Sequence, residues 1–193
     1  ITFLILNASA FFSFLKDLEV LPKPILITCG LVLVNLLLVL SLIDIVYMIL
    51  PAIVCTVGSI LGLISTSFLI PYTDFMNGFM VLINHLIAVY LSLLVMLGLR
   101  KLGQKVFSKE SLGSGDAKLA AMGGAWLGMH GVITAMAIAF IAGGSLAFSC
   151  RVTGWLKPMQ SFSFGPFIAL GIWGVWVLKP NQWWNIWQSI WGL

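Results

Sequence analysis

Charge is scarce in this chain: of 193 residues, 10 are Lys or Arg and 6 are Asp or Glu, together 8%, where a soluble domain carries about 25%. So few charges cannot solvate the surface of a globule, which excludes a soluble enzyme, a disordered tail and a nucleic-acid-binding domain. No nucleic-acid partner is expected. Cysteine is also rare. Cys29, Cys55 and Cys150 stand far apart with no CxxC pair, so neither a zinc site nor a disulfide framework is supported, and no metal or other cofactor is expected. Internal repeats and low-complexity tracts are absent, and residues 1–193 read as a single membrane-embedded domain.

What the chain has in excess is apolar sequence. Hydrophobic residues make up 61%, against about 45–50% in globular domains, and they fall in runs near the roughly 20 residues that a spanning helix needs. The expected fold class is therefore all-α, a polytopic transmembrane helix bundle with about seven hydrophobic segments. Residues 1–15 are short for a span and read as the end of a truncated helix, since the chain starts at Ile1 without Met. Good spans follow at residues 25–43, 52–70 and 78–99, and a last one at 164–178. Between them, Leu119–Cys150 stays apolar for too long to be one span at about 1.5 Å per residue. Its break at Gly128-Met129-His130-Gly131 predicts a helical hairpin of one short and one full helix. The tail NQWWNIWQSIWGL places Trp183, Trp187 and Trp191 at four-residue spacing, and residues 182–193 read as an interfacial Trp-rich helix.

Orientation follows from the basic residues. Arg100–Lys118 is the longest polar stretch and holds five of the ten. If it faces the cytoplasm, the segments Asp44–Pro51 and Arg151–Ser161 face it too, the latter only if Leu119–Cys150 is a hairpin. Seven basic residues (Arg100, Lys101, Lys105, Lys109, Lys118, Arg151, Lys157) are then inside and three (Lys16, Lys23, Lys179) outside, as the positive-inside rule requires.

With six acids, each can be judged. Asp17 and Glu19 sit beside Lys16 and Lys23 in a Pro-punctuated turn, Asp74 follows Pro71 in another, and Glu110 lies in the basic stretch; all four read as solvated. Asp44 and Asp116 differ. Asp44 interrupts the run LVLSLIDIVYMILP, and Asp116 lies at the mouth of the hairpin in Gly113-Ser114-Gly115-Asp116-Ala117-Lys118. A carboxylate at membrane depth is costly unless paired or hydrated, so its default reading is functional. Both emerge on the same face of the membrane. The bland alternative is that Asp44 caps a helix or pairs with Lys118, itself read as a snorkelling, charge-balancing side chain. His85 beside Asn84 reads as an interhelical hydrogen-bonder and His130 as a polar residue at the hairpin tip.

Two carboxyl groups within hydrogen-bond reach share a proton. Such a pair suits peptide hydrolysis: the ionised member takes a proton from a water that attacks the carbonyl. The protonated member serves the carbonyl oxygen and then the leaving amine. Gly113 and Gly115, lacking Cβ, let the chain turn sharply and approach a substrate backbone. Asp116 would start the following helix, where the dipole favours its charge.

These residues resemble the type IV prepilin peptidases, membrane aspartyl proteases of the GxGD class. The likeness rests on Ser41-Leu42-Ile43-Asp44 through Leu50-Pro51, on Gly113 to Ala121 followed by Gly124-Ala125-Trp126-Leu127-Gly128, and on Phe164-Gly165-Pro166-Phe167-Ile168-Ala169-Leu170. It implies that Asp44 and Asp116 are the catalytic pair, and that Gly113, Gly115, Lys118, Pro51, Gly165 and Pro166 belong to the surrounding motifs. It also implies substrates: precursors of type IV pilins or pseudopilins with a basic leader, a Gly before the scissile bond and then a hydrophobic helix. They would be cut on the cytoplasmic face of the bacterial inner membrane, with the lipid bilayer as the other partner. Two departures are visible. Ala52 stands where the family usually has Asp, and Ser163 replaces the first Pro of the third motif. The zinc-binding tetracysteine segment of many members has no match here, so it is expected either upstream of Ile1 or missing from this member, and methyltransferase activity is not assigned to these residues. The alternatives are another GxGD protease of preflagellin or presenilin-like type, a proton-coupled transporter with the aspartates as relay, and a catalytically dead assembly subunit.

Overall fold

A computed structural model describes residues 23–68, 75–107, 113–153 and 163–177. Among them are five helices: α1 (Lys23–Tyr47), α2 (Ala52–Ser67), α3 (Phe75–Phe107), α4 (Ser114–Val152) and α5 (Gly165–Val177). The expected all-helical class holds. Of the seven expected segments, the described residues hold six, the two arms of α4 counted separately, and residues 1–15 lie outside them. The Trp-rich tail is outside them too. Three stretches, Ile27–Tyr47, Gly78–Lys105 and Ser114–Val152, are long and apolar enough to cross a membrane, and this is a membrane protein.

Helix α1 shows why so apolar a sequence makes no water-soluble globule. Leu33, Leu37, Leu40 and Asp44 are buried, at spacings of four, three and four, so they form one inward stripe. Leu31, Val32, Leu38, Val39, Leu42 and Ile45 on the other faces are exposed, a surface that acyl chains solvate and water does not. Asp44 therefore sits on the packed stripe of its helix. The helix ends as Met48 takes φ 51° and gives its N–H to the Asp44 carbonyl at 2.9 Å. This left-handed residue is where glycine usually stands. Pro51, with no N–H to satisfy, then opens α2 and accepts from Cys55 at 3.3 Å.

Helix α4 is the hub, touching α2, α3 and α5. Its first arm packs on α2 through the small-xxx-small pair Gly58 and Gly62. A methyl group on Gly62 would stand 2.8 Å from Trp126 Cδ1, so the absence of side chains here lets the backbones approach closely. Trp126 uses that closeness, donating Nε1–H to the Gly58 carbonyl at 2.9 Å and meeting Trp176 edge-on at 5.8 Å. On the opposite side Gly124 lies against the Ala88 backbone of α3.

The expected reversal inside α4 is real and is made by Gly128. Its φ of 67° and ψ of −172° lie in a region essentially restricted to glycine. Positions nine apart on a straight helix are about 13.5 Å apart along its axis, yet a methyl on Gly123 would stand 3.7 Å from Val132 Cγ2. Helix α5 confirms the geometry: Phe164 lies against Gly143, Ala135 against Gly171, and Val175 against Gly131, while Ile172 lies against Gly123 of the other arm. The two arms thus run in opposite directions, and both return to the end of the bundle where α5 begins. His85 holds the bend, fully buried and donating Nδ1–H to the Ala125 carbonyl at 2.9 Å, an acceptor in the last turn of the first arm. This is the interhelical role read for it from the sequence. Gly128→Ala is expected to destabilise the fold by about 1–3 kcal/mol, since the backbone is unsuited to an L side chain and the new methyl meets His85 Nε2 at 3.0 Å. Thermal unfolding in detergent, followed by Trp fluorescence, measures it.

The basic stretch is shorter as a loop than expected. α3 continues as helix through Arg100, Lys101 and Lys105 to Phe107, and Lys118 is on α4. Lys, Arg, Leu and Gln are good helix formers, so the helix outlasts its apolar portion. Lys109 lies outside the described residues.

Candidate active site

Asp44 lies in the last turn of α1 and is buried, 5% exposed. That position is electrostatically poor for a carboxylate, because a helix C-terminus carries partial negative charge. The compensation comes from α5, 121 positions away in the chain. Asp44 Oδ2 accepts the Gly165 N–H at 2.9 Å and the Ser163 hydroxyl at 2.6 Å. Phe164 is the N-cap of α5, its carbonyl accepting from Phe167 and Ile168. Gly165 is thus the first helical residue, with an orphan N–H, and Pro166 has no N–H to satisfy. Asp44 fills the capping place that a polar N-cap side chain would otherwise take.

The glycine at 165 is a requirement of space. A methyl group there would stand 2.5 Å from Asp44 Oδ2 and 2.9 Å from its Cγ, inside any real contact distance. Only a residue without Cβ lets α5 bring its N-terminus this close to the carboxylate.

Asp116 is buried, 7% exposed, at the third helical position of α4. Its Oδ2 accepts the N–H of the N-cap residue Gly113 at 3.0 Å, the reciprocal bond of a capping box. Gly113 has extended dihedrals, φ −70° and ψ 149°, and a methyl on it would stand at ordinary contact distance, 3.4 Å from Asp116 Oδ2. Gly115 is packed tightly: a methyl on it would meet Leu50 Cβ at 2.5 Å. Leu50 is the buried residue before Pro51, so the turn after Asp44 presses directly on the turn that carries Asp116.

The structure thus brings Asp44, Pro51, Gly113, Gly115, Asp116, Gly165 and Pro166 to one end of the bundle. The two carboxyl groups are close enough that the charge of Asp44 acts on Asp116. Each binds a backbone N–H through Oδ2 at the positive end of a helix, α5 for Asp44 and α4 for Asp116. In neither case does Oδ1 take part in these bonds. Lys118 is half-buried on α4 and, with Asp116, lies within electrostatic reach of Cys55 at the start of α2. Asp44 takes its bonds from Ser163 and Gly165, not from Lys118. His85 and His130 belong to the region of the bend, away from this end. Ser163 is the residue that sequence reasoning missed. It registered only as a departure from a motif, and nothing in its neighbourhood in the chain points to a partner 119 positions away. Among the described residues, no three or more His, Cys, Asp or Glu side chains group as metal ligands.

An apolar bundle with two buried carboxyl groups at one end, each bonded to a helix N-terminus, defines a helical membrane protein that carries an aspartate pair. The sequence model of the type IV leader peptidase family matches residues 31–148, and the chain belongs to that family. Two curated relatives are the prepilin leader peptidase/N-methyltransferases of Burkholderia pseudomallei strains 1026b and K96243. Each is 38% identical over 85 residues, which cover 44% of this chain and 26% of the relative. The matched stretch is therefore about a quarter of the relatives' length. No solved structure matches the chain.

Proposed function

We propose that this chain is a prepilin leader peptidase that cleaves by activating water between Asp44 and Asp116. The observation that carries the reading is the convergence of two buried carboxyl groups, 72 positions apart in sequence (116 − 44), at one end of an apolar bundle. One carboxylate takes a proton from water, which attacks the scissile carbonyl, and the protonated partner serves the developing oxyanion and then the amine. The substrate is a type IV prepilin or pseudopilin precursor with a basic leader, a Gly before the cut and a hydrophobic helix that stays in the bilayer. The aspartate end faces the cytoplasm of a bacterial inner membrane. In support, Arg100, Lys101 and Lys105 of α3, Lys118, and Arg151 at the end of α4 lie toward that end, as the helix directions require.

The test uses the purified chain in liposomes with a precursor of this design. The expected result is cleavage after the Gly, read by N-terminal sequencing, and loss of cleavage when that Gly is replaced by a bulky residue. Proton-linked solute flux without any cleavage overturns the reading.

A further inference from the structure

The resemblance treats Ser163 as a deviation, but in the structure it is a contact of the carboxylate. Its hydroxyl, half-buried, reaches Asp44 Oδ2 at 2.6 Å, within the range of about 2.5–2.7 Å for an O–H donor to an ionised oxygen. The Gly165 N–H reaches the same oxygen at 2.9 Å. A carboxylate held by one donor can swing about that single bond. Two donors on one oxygen, offered from points two residues apart on a helix start, remove that freedom and leave Oδ1 as the oxygen open to a reacting water.

We infer that Ser163 is a positioning residue for the peptidase reaction proposed above, fixing Asp44 through Oδ2 so that Oδ1 is presented to the water shared with Asp116. The segment that enters α5 is then a third part of the active site, beside the two aspartate turns. The hydroxyl does not touch substrate; it acts through Asp44. Its effect belongs to turnover and not to substrate binding, because a carboxylate that has rotated away costs orientation in the transition state while the leader and helix still bind.

The experiment compares the wild-type chain with Ser163→Ala, Ser163→Thr and Ser163→Pro in liposomes, measuring kcat and KM on the prepilin-type precursor and melting in detergent. Ser163→Ala is expected to lower kcat roughly 10- to 100-fold, the effect of losing a hydrogen bond to a charged group, with KM within about twofold by the same reasoning. Ser163→Thr, which keeps the hydroxyl, restores kcat to within about threefold. Ser163→Pro behaves as the alanine variant because it lacks the donor. Turnover by Ser163→Ala equal to wild type overturns the positioning role and leaves the peptidase reading standing. A parallel fall in kcat and melting temperature for both the alanine and threonine variants overturns it too, as that marks a purely structural residue. A wild-type chain that cleaves nothing overturns the peptidase reading and this role with it.

Discussion

Asp44→Asn and Asp116→Asn are each expected to abolish leader cleavage, a fall of at least roughly 1,000-fold, while the protein still inserts and folds. The reason lies in what an amide can and cannot do at these positions. In Asp44→Asn the amide would still offer an oxygen to the Ser163 hydroxyl and the Gly165 N–H. In Asp116→Asn it would offer one to the Gly113 N–H, so the caps of α5 and α4 survive. What is lost is the exchangeable proton and the capacity to accept one from water. In the proposed reaction the two groups work as a unit, so the double variant should be no worse than either single one. Cleavage of a prepilin-type precursor by reconstituted variants, with melting temperatures as the folding control, measures it. Residual turnover near wild type in either variant would remove that carboxylate from the chemistry.

The aspartate end of this molecule was more legible in the sequence than the contacts that hold it. Asp44 stands out because an acid inside an apolar run is expensive; that it shares an inward stripe with Leu33, Leu37 and Leu40 was not legible, since the exposed faces of α1 are just as apolar. The reversal at Gly128 was legible as a matter of length, because Leu119–Cys150 stays apolar for too long to be one span and breaks at Gly128-Met129-His130-Gly131. Where α3 ends was not legible, because Arg100, Lys101 and Lys105 mark the edge of the hydrocarbon and not the edge of the helix. The Gly58–Gly62 seam was likewise unread, since small residues in a lipid-facing helix gain meaning only once the partner, Trp126, is known. The bonds from Ser163 and Gly165 to Asp44 span 119 and 121 positions. No local pattern encodes such a pairing, which is set by the way α5 packs along both arms of α4.

Gly165→Ala tests that pairing with the smallest possible change, one methyl group. The residue has no positive φ among the backbone exceptions of the chain, and alanine is a better helix former than glycine, so by local propensity the substitution should be neutral or stabilising. The obstacle is the carboxylate: the methyl would lie 2.5 Å from Asp44 Oδ2 and 3.2 Å from its Cβ. Asp44 extends from the rigid last turn of α1, and its Cβ cannot swing aside as the tip of a long side chain could. Either the carboxylate rotates and surrenders its two donors, or α5 withdraws and takes them away. Both outcomes misplace the reacting group on the order of 1 Å, enough to cost about 100-fold in turnover. Gly98→Ala and Gly144→Ala are the controls, because nothing lies within 4 Å of a methyl at either position; both should keep wild-type cleavage. The expected signature is a large loss of kcat for Gly165→Ala alone, with insertion intact. If Gly165→Ala cleaves as fast as the two controls, the N-terminus of α5 does not hold Asp44 in the working enzyme.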